Sequence, residues 1–255
     1  MIEGGRLAFV VVLGGCGGGL PLLHPAQTLD AGHVRAGVGF SANVASGAFA
    51  DALSAAGAVV ATTPGAGVSD PSFAKGALVA ASIAPGIAPW AGARVGVWDH
   101  VEGGLAYTGR AVRADGRRSV DLSRHWSLSI GAGGSAVLHG QTASDSVAHL
   151  DLAALSGWGL DAPVLVGYAS DGGLYMVWLG GRGGWEHAEL PDSSTLSATR
   201  FWGGGIFGLA AGFRHVHVAM EISASYASVS GHYGGTETHV AGVTLTPASG
   251  LWWDF

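Results

Sequence analysis

The alternation of apolar and polar residues with a period of two is the dominant pattern from His33 to the C-terminus. Between His215 and Tyr226 the even positions are all apolar, whereas the odd positions are mostly polar. Successive side chains of a β-strand point to opposite faces, while an amphipathic helix repeats its apolar residues at i, i+3, i+4 and i+7. The pattern therefore predicts an all-β protein whose strands have one apolar and one polar face.

About ten segments show this alternation, and an even number of antiparallel strands can close into an up-and-down barrel. The predicted strands are residues 30–44, 87–98, 101–109, 111–121, 125–138, 156–169, 173–187, 199–213, 215–229 and 238–255. A tight turn is predicted near Thr108 to Ala111, although Asp115-Gly116 is a competing hairpin sequence. The predicted long links are residues 45–86, 139–155, 188–198 and 230–237. The links that alternate with these long ones are short. Short links at one end of a barrel and long links at the other are the usual arrangement, and with ten strands both chain ends then lie on the side of the short links.

The long link at residues 45–86 is rich in alanine and is predicted to be an external, partly helical loop. Asp70-Pro71 is a good pair for the N-cap and first turn of a helix, and Pro85-Gly86 ends the helical run. Two interpretations stay open. The helices either rest on the rim of the barrel or form a lid or plug over its lumen.

The composition indicates whether such a barrel lies in water or in a membrane. Only 12% of the residues are charged, compared with about 25% in an ordinary soluble domain, and 48% are hydrophobic. A membrane-spanning helix needs about 18 or more apolar residues, but the longest candidate, residues 7–23, is interrupted by five glycines and Pro21. We therefore expect a transmembrane β-barrel. The net charge of -6, with 12 basic residues, gives no basic patch for a nucleic-acid partner.

The N-terminus has the features of a signal peptide, because Arg6 precedes a short apolar run that ends in small residues. The sequence Leu13-Gly14-Gly15-Cys16 resembles the lipobox of bacterial lipoproteins. The resemblance implies that cleavage makes Cys16 the N-terminus and that its thiol carries a diacylglyceryl group. An ordinary signal peptide with an incidental cysteine is the alternative. The predicted organisation is a signal peptide at 1–15, a lipidated tail at 16–29 and the barrel at 30–255.

The last predicted strand carries a second resemblance. Leu251, Trp253 and the terminal Phe255 share one face, and they resemble the C-terminal β-signal of Gram-negative outer-membrane β-barrels, which ends in an aromatic residue. The resemblance implies location in the outer membrane, contact with its lipids and recognition by the barrel-assembly machinery during biogenesis. It identifies no characterised subfamily. The predicted topology also sorts outward aromatic residues into two belts, as expected at the two interfaces of a membrane.

Candidate chemistry is confined to one predicted cluster in the lumen. Its members are His33, Arg35, His215, His217 and Asp254 at the inner end, with Glu221 a few residues higher. Two histidines and a carboxylate could hold zinc or transfer protons, but a hydrogen-bonded polar network that fills a small lumen is favoured. No catalytic residue, metal or cofactor is therefore predicted.

The string Gly203-x-Gly205-x-x-Gly208 matches a dinucleotide-binding pattern, but it lies inside a predicted strand. We interpret these three glycines as small residues that avoid steric crowding of side chains in a narrow, curved barrel.

Three functions follow from these features. The favoured one is a non-enzymatic outer-membrane barrel, either structural or a narrow pore for small solutes. The alternatives are a barrel hydrolase that uses lumen histidine and glutamate, and a surface-binding protein that acts through loop 45–86.

Overall fold

A computed structural model describes residues 19–62, 70–140, 147, 150–192 and 195–255 of the protein. The described residues form ten antiparallel strands and two α-helices, with one short 3-10 turn at Asp171–Gly173. The strands are β1 Val34–Ser46, β2 Gly86–Trp98, β3 Val101–Tyr107, β4 Ala111–Asp121, β5 Trp126–Val137, β6 Ser156–Ala169, β7 Tyr175–Glu189, β8 Leu196–Phe213, β9 Val216–Tyr233 and β10 Thr236–Asp254. The helices are α1 Ala48–Thr62 and α2 Pro71–Ile83, both between β1 and β2.

The strands close into a barrel, which confirms the predicted fold class. Each strand pairs with its neighbour in sequence, and β1 pairs with β10. The closing hydrogen bonds join Val34 and Phe255, whose backbone groups exchange bonds of 3.2 and 2.8 Å. Closure leaves no strand edge unpaired. The end at which β1 begins and β10 finishes is called the inner end below, and the opposite end is the outer end.

The predicted turn between β3 and β4 is also confirmed. Thr108 N–H donates to the carbonyl of Ala111 at 3.0 Å, and Gly109 has a φ of 72°, which glycine adopts readily. The competing hairpin at Asp115-Gly116 does not form, because both residues continue β4 and pair with β3.

Two of the predicted long links are shorter than expected. The link predicted at 230–237 is a turn centred on Gly234 and Gly235 between β9 and β10, and both glycines have positive φ values, 55° and 81°. Such a turn matches the twist of the two strands and lets their pairing run almost to the tip. The link predicted at 188–198 is also shorter, because β7 and β8 stay paired as far as Glu189 and Ser197.

Side chains are sorted as the period of two predicts, with apolar groups outside and polar groups inside. Val38, Ile130, Leu160 and Met220 are each more than half exposed on the outward face. The aromatic residues predicted to form the outer belt are Phe40, Tyr107, Trp158, Trp185, Phe201 and Tyr226, and those of the inner belt are Trp126, Tyr168, Tyr175, Phe213, Trp253 and Phe255; all are exposed except the half-buried Trp185 and Tyr168.

The helices of loop 45–86 lie in the outer mouth of the barrel, which decides between the two interpretations of that loop. Helix α2 packs against β7, β8, β9 and β10, and Phe73 and Leu78 are buried in a cluster with the inward residues Ala227 and Val229. As predicted, Asp70 caps α2, since its carboxylate accepts from the N–H groups of the second and third helical residues. We call α1 and α2 together the lid.

Residues 19–29 fill the inner part of the lumen, and we call this segment the plug. Residues 19–29 belong to the segment predicted as a lipidated tail at 16–29, and nothing in the sequence indicated that they would enter the lumen. The Ser41 hydroxyl donates to the Gly19 carbonyl at 3.1 Å, and Leu29 N–H donates to Glu102 at 2.8 Å, so the segment runs down the lumen towards the inner end. None of the described helices is long and apolar enough to span a membrane.

Candidate functional site: the filled lumen

A ladder of charged side chains crosses the lumen between β2 and β7. Arg94 pairs with Glu102 and Asp115, Arg113 pairs with Asp115 and Asp161, and Arg182 also pairs with Asp161. The pairing is bidentate between Arg113 and Asp161, with N–O distances of 2.9 and 2.8 Å. Forked charge-assisted bonds of this kind are the arrangement that can offset the cost of burying charges.

Small residues give the ladder its room. A Cβ atom at Gly104 would come within 2.6 Å of Nη1 of Arg94. Glycine in the strand therefore lets a guanidinium lie flat against the barrel wall. Glycine at this position thus leaves space for the charged interior.

The upper part of the plug is held by one buried carboxylate. Glu221 accepts the N–H groups of Leu22 and Leu23 at 2.8 and 2.9 Å, and the indole N–H of Trp178 at 3.1 Å. The carboxylate belongs to β9, whereas the two backbone donors come from a segment about two hundred positions earlier. Glu221 thus holds the upper part of the plug against β9.

The lower part of the plug is held by Arg117. Its guanidinium donates to the carbonyls of Pro25 and Gln27, the latter at 2.9 Å, and to Glu102 at 2.7 Å. Glu102 in turn accepts the N–H of Leu29. The charged ladder and the plug therefore form one hydrogen-bonded network.

An apolar pocket inside the lumen receives the leucines of the plug. Leu22 and Leu23 are buried in a cluster with Trp90, Trp178 and Trp252. The rings of Trp178 and Trp252 lie 6.3 Å apart. Burying two leucine side chains in this pocket stabilises the plugged arrangement by about 1.5–3 kcal/mol each, as an upper estimate.

His24 of the plug is buried between the arginines of the ladder. Burial lowers the pKa of this imidazole well below its usual value, and the charges of Arg117, Arg94 and Arg113 lower it further. His24 is therefore neutral in the folded protein at neutral pH. As the pH falls below about 6.5, the unfolded chain binds a proton that the folded chain excludes, so acid disfavours the docked plug.

The predicted histidine cluster is only partly assembled. Arg35 and Asp254 form a forked ion pair at 2.5 and 2.9 Å, and His217 lies 3.8 Å from Asp254. The prediction that His215 points into the lumen is wrong, because it lies in the turn between β8 and β9 and is exposed, as is His33.

Glu221 is also separate from that cluster, since the plug and Trp178 occupy its carboxylate. Within the described ranges no three histidine, cysteine or acidic side chains converge as metal ligands would. The contacts that Arg35, His217 and Asp254 form are hydrogen bonds and ion pairs with one another and with the backbone.

The plug and its aromatic pocket were missed in the sequence. The pattern held one indication of them, since Trp178, Trp202 and Trp252 fall at inward positions of their strands. A large apolar ring that points into a polar lumen needs an apolar partner there. Leu22 and Leu23 lie near the N-terminal end of the chain and belong to no alternating segment, so nothing in the pattern connected them with these rings.

Gly208 in the dinucleotide-like string leaves space for Trp178, because a Cβ atom there would overlap the indole ring. We expect Gly208→Ala to lower the free energy of unfolding by about 1–3 kcal/mol through this overpacking. The matched control is Gly203→Ala in the same strand, where nothing lies within 4 Å of the added Cβ, and we expect a change within about 0.5 kcal/mol. Urea unfolding of protein folded in lipid vesicles measures both. Equal stability of the two variants would contradict the packing role of Gly208.

Comparison with known proteins gives matches to solved structures alone. No protein-family model matches the chain, and no curated protein does. Neisserial surface protein A is 10% identical, with 88% of this chain and 96% of that chain covered and a TM-score of 0.34. OprG from Pseudomonas aeruginosa is 11% identical, with 89% and 97% covered and a TM-score of 0.32. A major outer membrane protein from Thermus thermophilus is 11% identical, with 87% and 99% covered and a TM-score of 0.28. The assignment of a closed ten-stranded barrel rests on the strand pairing of the chain itself.

Proposed function

We propose that this chain is an integral outer-membrane β-barrel protein with a structural, non-enzymatic role and a lumen that is closed in the state described. The outward apolar surface carries this proposal. Side chains such as Ile130, at 63% exposure, and Met220, at 55%, face away from the lumen, while arginines and carboxylates face inward. Water would disfavour such a surface, whereas lipid favours it.

The filling of the lumen favours a structural role over an open pore. The plug occupies the inner part, the lid covers the outer mouth, and the charged ladder crosses the space beside the plug. A barrel of about ten strands has little free interior once its side chains are placed. Passage of a solute would therefore require displacement of the plug or the lid.

The hydrolase alternative has one side-chain pair in its favour. Ser228 Oγ lies 2.9 Å from His239 Nε2 on an exposed surface towards the outer end of β9 and β10. An activated serine also needs a third group that orients the histidine. In the part of the chain that the structure describes, no hydrogen bond to the other ring nitrogen of His239 is formed, so the pair has two of the three required groups.

The proposal includes export of the chain and assembly of its barrel in the outer membrane. Leu251, Trp253 and Phe255 share the outward face of β10 and are each more than a third exposed, as a β-signal read by the barrel-assembly machinery would need to be. Cys16 lies outside the described residues, and its lipidation stays a prediction. Intact mass of the mature protein tests it directly.

Cell fractionation together with electrophoresis of unheated samples tests the location. We expect the native protein in the outer-membrane fraction with a heat-modifiable mobility, because a closed barrel unfolds in detergent only on heating. Removal of Phe255 is expected to lower the amount of this form, since the last strand then lacks its terminal aromatic residue.

Planar-bilayer recordings of the same material are expected to show no stable conductance. A soluble native protein would refute the location, and a persistent open-channel current would refute the closed lumen.

A further inference from the structure

A cavity of about 110 Å³, lined by both polar and apolar side chains, lies in the outer half of the lumen, between the plug and the C-terminal end of α2. Its volume leaves room for several water molecules or one small anion. The side chains that matter for its chemistry are Ser82, Arg110, Arg182, Glu186, Arg200 and Trp202. They come from the lid, from the turn between β3 and β4, and from β7 and β8.

Several hydrogen-bond donors at this cavity are buried without a partner. They are Nε of Arg110, Nε of Arg200 and Nε1 of Trp202, and the hydroxyl of Ser82 is also unpaired. Arg110 is only 7% exposed. A buried donor or acceptor without a partner costs about 1–3 kcal/mol, and more where the group is charged, so four unpaired groups around one space indicate that something with acceptor atoms belongs there.

The charges at the cavity do not cancel. Glu186 accepts from Arg200 at 3.0 Å, whereas Arg110 forms no ion pair within the described ranges and donates to the carbonyl of Ala81 at 2.8 Å. Burial lowers the pKa of Arg110 to about 10, which still leaves it protonated at neutral pH. Among the side chains that line the cavity, three guanidiniums, those of Arg110, Arg182 and Arg200, face two carboxylates, those of Glu186 and Glu221, so one positive charge is left in excess.

The arginines also cap the lid, but that role leaves donors unused. Arg110 and Arg200 donate to the carbonyls of Ala81 and Ser82 at the end of α2, where a positive charge interacts favourably with the helix dipole. Each uses one terminal nitrogen for this contact, while the Nε of each has no acceptor. Capping explains why the arginines are near α2. It leaves the excess charge and the free donors unexplained.

We propose that this cavity binds a small anion through a carboxylate or phosphate group, held by Arg110 and Arg200 with the indole N–H of Trp202. Guanidinium groups present paired N–H donors that match the oxygens of both anions. Water could satisfy the donors, but water cannot balance the excess charge of a buried site. An anion does both.

Isothermal titration of the purified full-length protein at pH 7 and constant ionic strength tests the proposal, with inorganic phosphate and acetate as separate probes. We expect saturable binding of at least one probe and a higher melting temperature in its presence. Arg110→Gln and Arg200→Gln are each expected to weaken binding at least about tenfold, since each removes a charge-assisted bond. Arg110→Lys keeps the charge and is expected to retain part of the affinity.

The matched control is Arg118→Gln, which makes the same change at an exposed position of β4 and is expected to bind as the unchanged protein does. Heat-modifiable mobility of each variant shows that its barrel has formed. Binding of phosphate without acetate, or the reverse, would support the site and define the group that it selects. Absence of saturable binding of both probes up to about 10 mM, or undiminished binding by Arg110→Gln and Arg200→Gln, would overturn the proposal.

Discussion

Replacement of Arg117 by methionine is expected to release the plug from the lumen while the barrel stays closed. The variant loses the donors to the carbonyls of Pro25 and Gln27 and one of the two arginines that neutralise Glu102. Removing one partner from a buried charged network costs about 3–5 kcal/mol. The loss falls mainly on the plug, because the strands on either side of Arg117 keep their backbone pairing.

Hydrogen exchange of residues 19–29 measures this release. The N–H groups of Leu22, Leu23 and Leu29 are held by carboxylates and should be protected in the unchanged protein. A cost of about 3 kcal/mol corresponds to exchange at least about 100-fold faster in the variant. The control is Arg118→Met, the next position along β4, whose side chain is exposed on the opposite face. Unchanged protection of the plug in Arg117→Met would mean that Arg117 does not hold it.

Insertion of a charge on the outward face of β9 is expected to have the second large effect. Met220 is exposed on that face, and an arginine in the middle of a lipid-facing strand costs about 2–4 kcal/mol. Ser223 lies three positions away on the inward face and borders the cavity at Arg110 and Arg200. Ser223→Arg adds a positive charge beside the arginines of the cavity, but that side chain is not forced into lipid, so we expect it to cost less than Met220→Arg.

Urea unfolding of both variants in lipid vesicles gives the comparison. The two substitutions introduce the same side chain into the same strand, so their difference reports the face alone. A larger loss of stability for Ser223→Arg would mean that the faces are reversed. Equally small losses for the two variants would mean that β9 is not embedded in lipid, and the proposed location would then be wrong.

Most of the barrel could be predicted from the sequence because the alternation of apolar and polar residues identifies a strand and its two faces. Where one face of a strand is apolar, a period of two assigns each residue to a face. This pattern located all ten strands, and it placed Met220 and Ser223 on opposite faces of β9. Local chemistry also predicted the N-cap at Asp70, since a cap depends on residues within one helical turn. The strand ends at residues 230–237 were predicted less well, because a polar outer rim weakens the alternation before the pairing ends.

The histidine cluster shows where such reasoning stops. Arg35, His217 and Asp254 do meet at the inner end, as their positions in neighbouring strands predicted. His215 differs because it lies in the turn, where the backbone no longer alternates and the period of two assigns no face. One residue beyond the strand was enough to turn a lumen position into an exposed one.

The barrel, its two faces and its helical loop are encoded in local sequence patterns, whereas the filling of the lumen depends on contacts between distant parts of the chain. The plug has no periodic pattern, and its partners Glu102, Arg117 and Glu221 come from strands far away along the chain. A buried backbone group must find an acceptor or donor, but the sequence does not say which one. That choice depends on how the closed barrel brings distant side chains around one narrow space, and the cavity at Arg110 and Arg200 exists for the same reason.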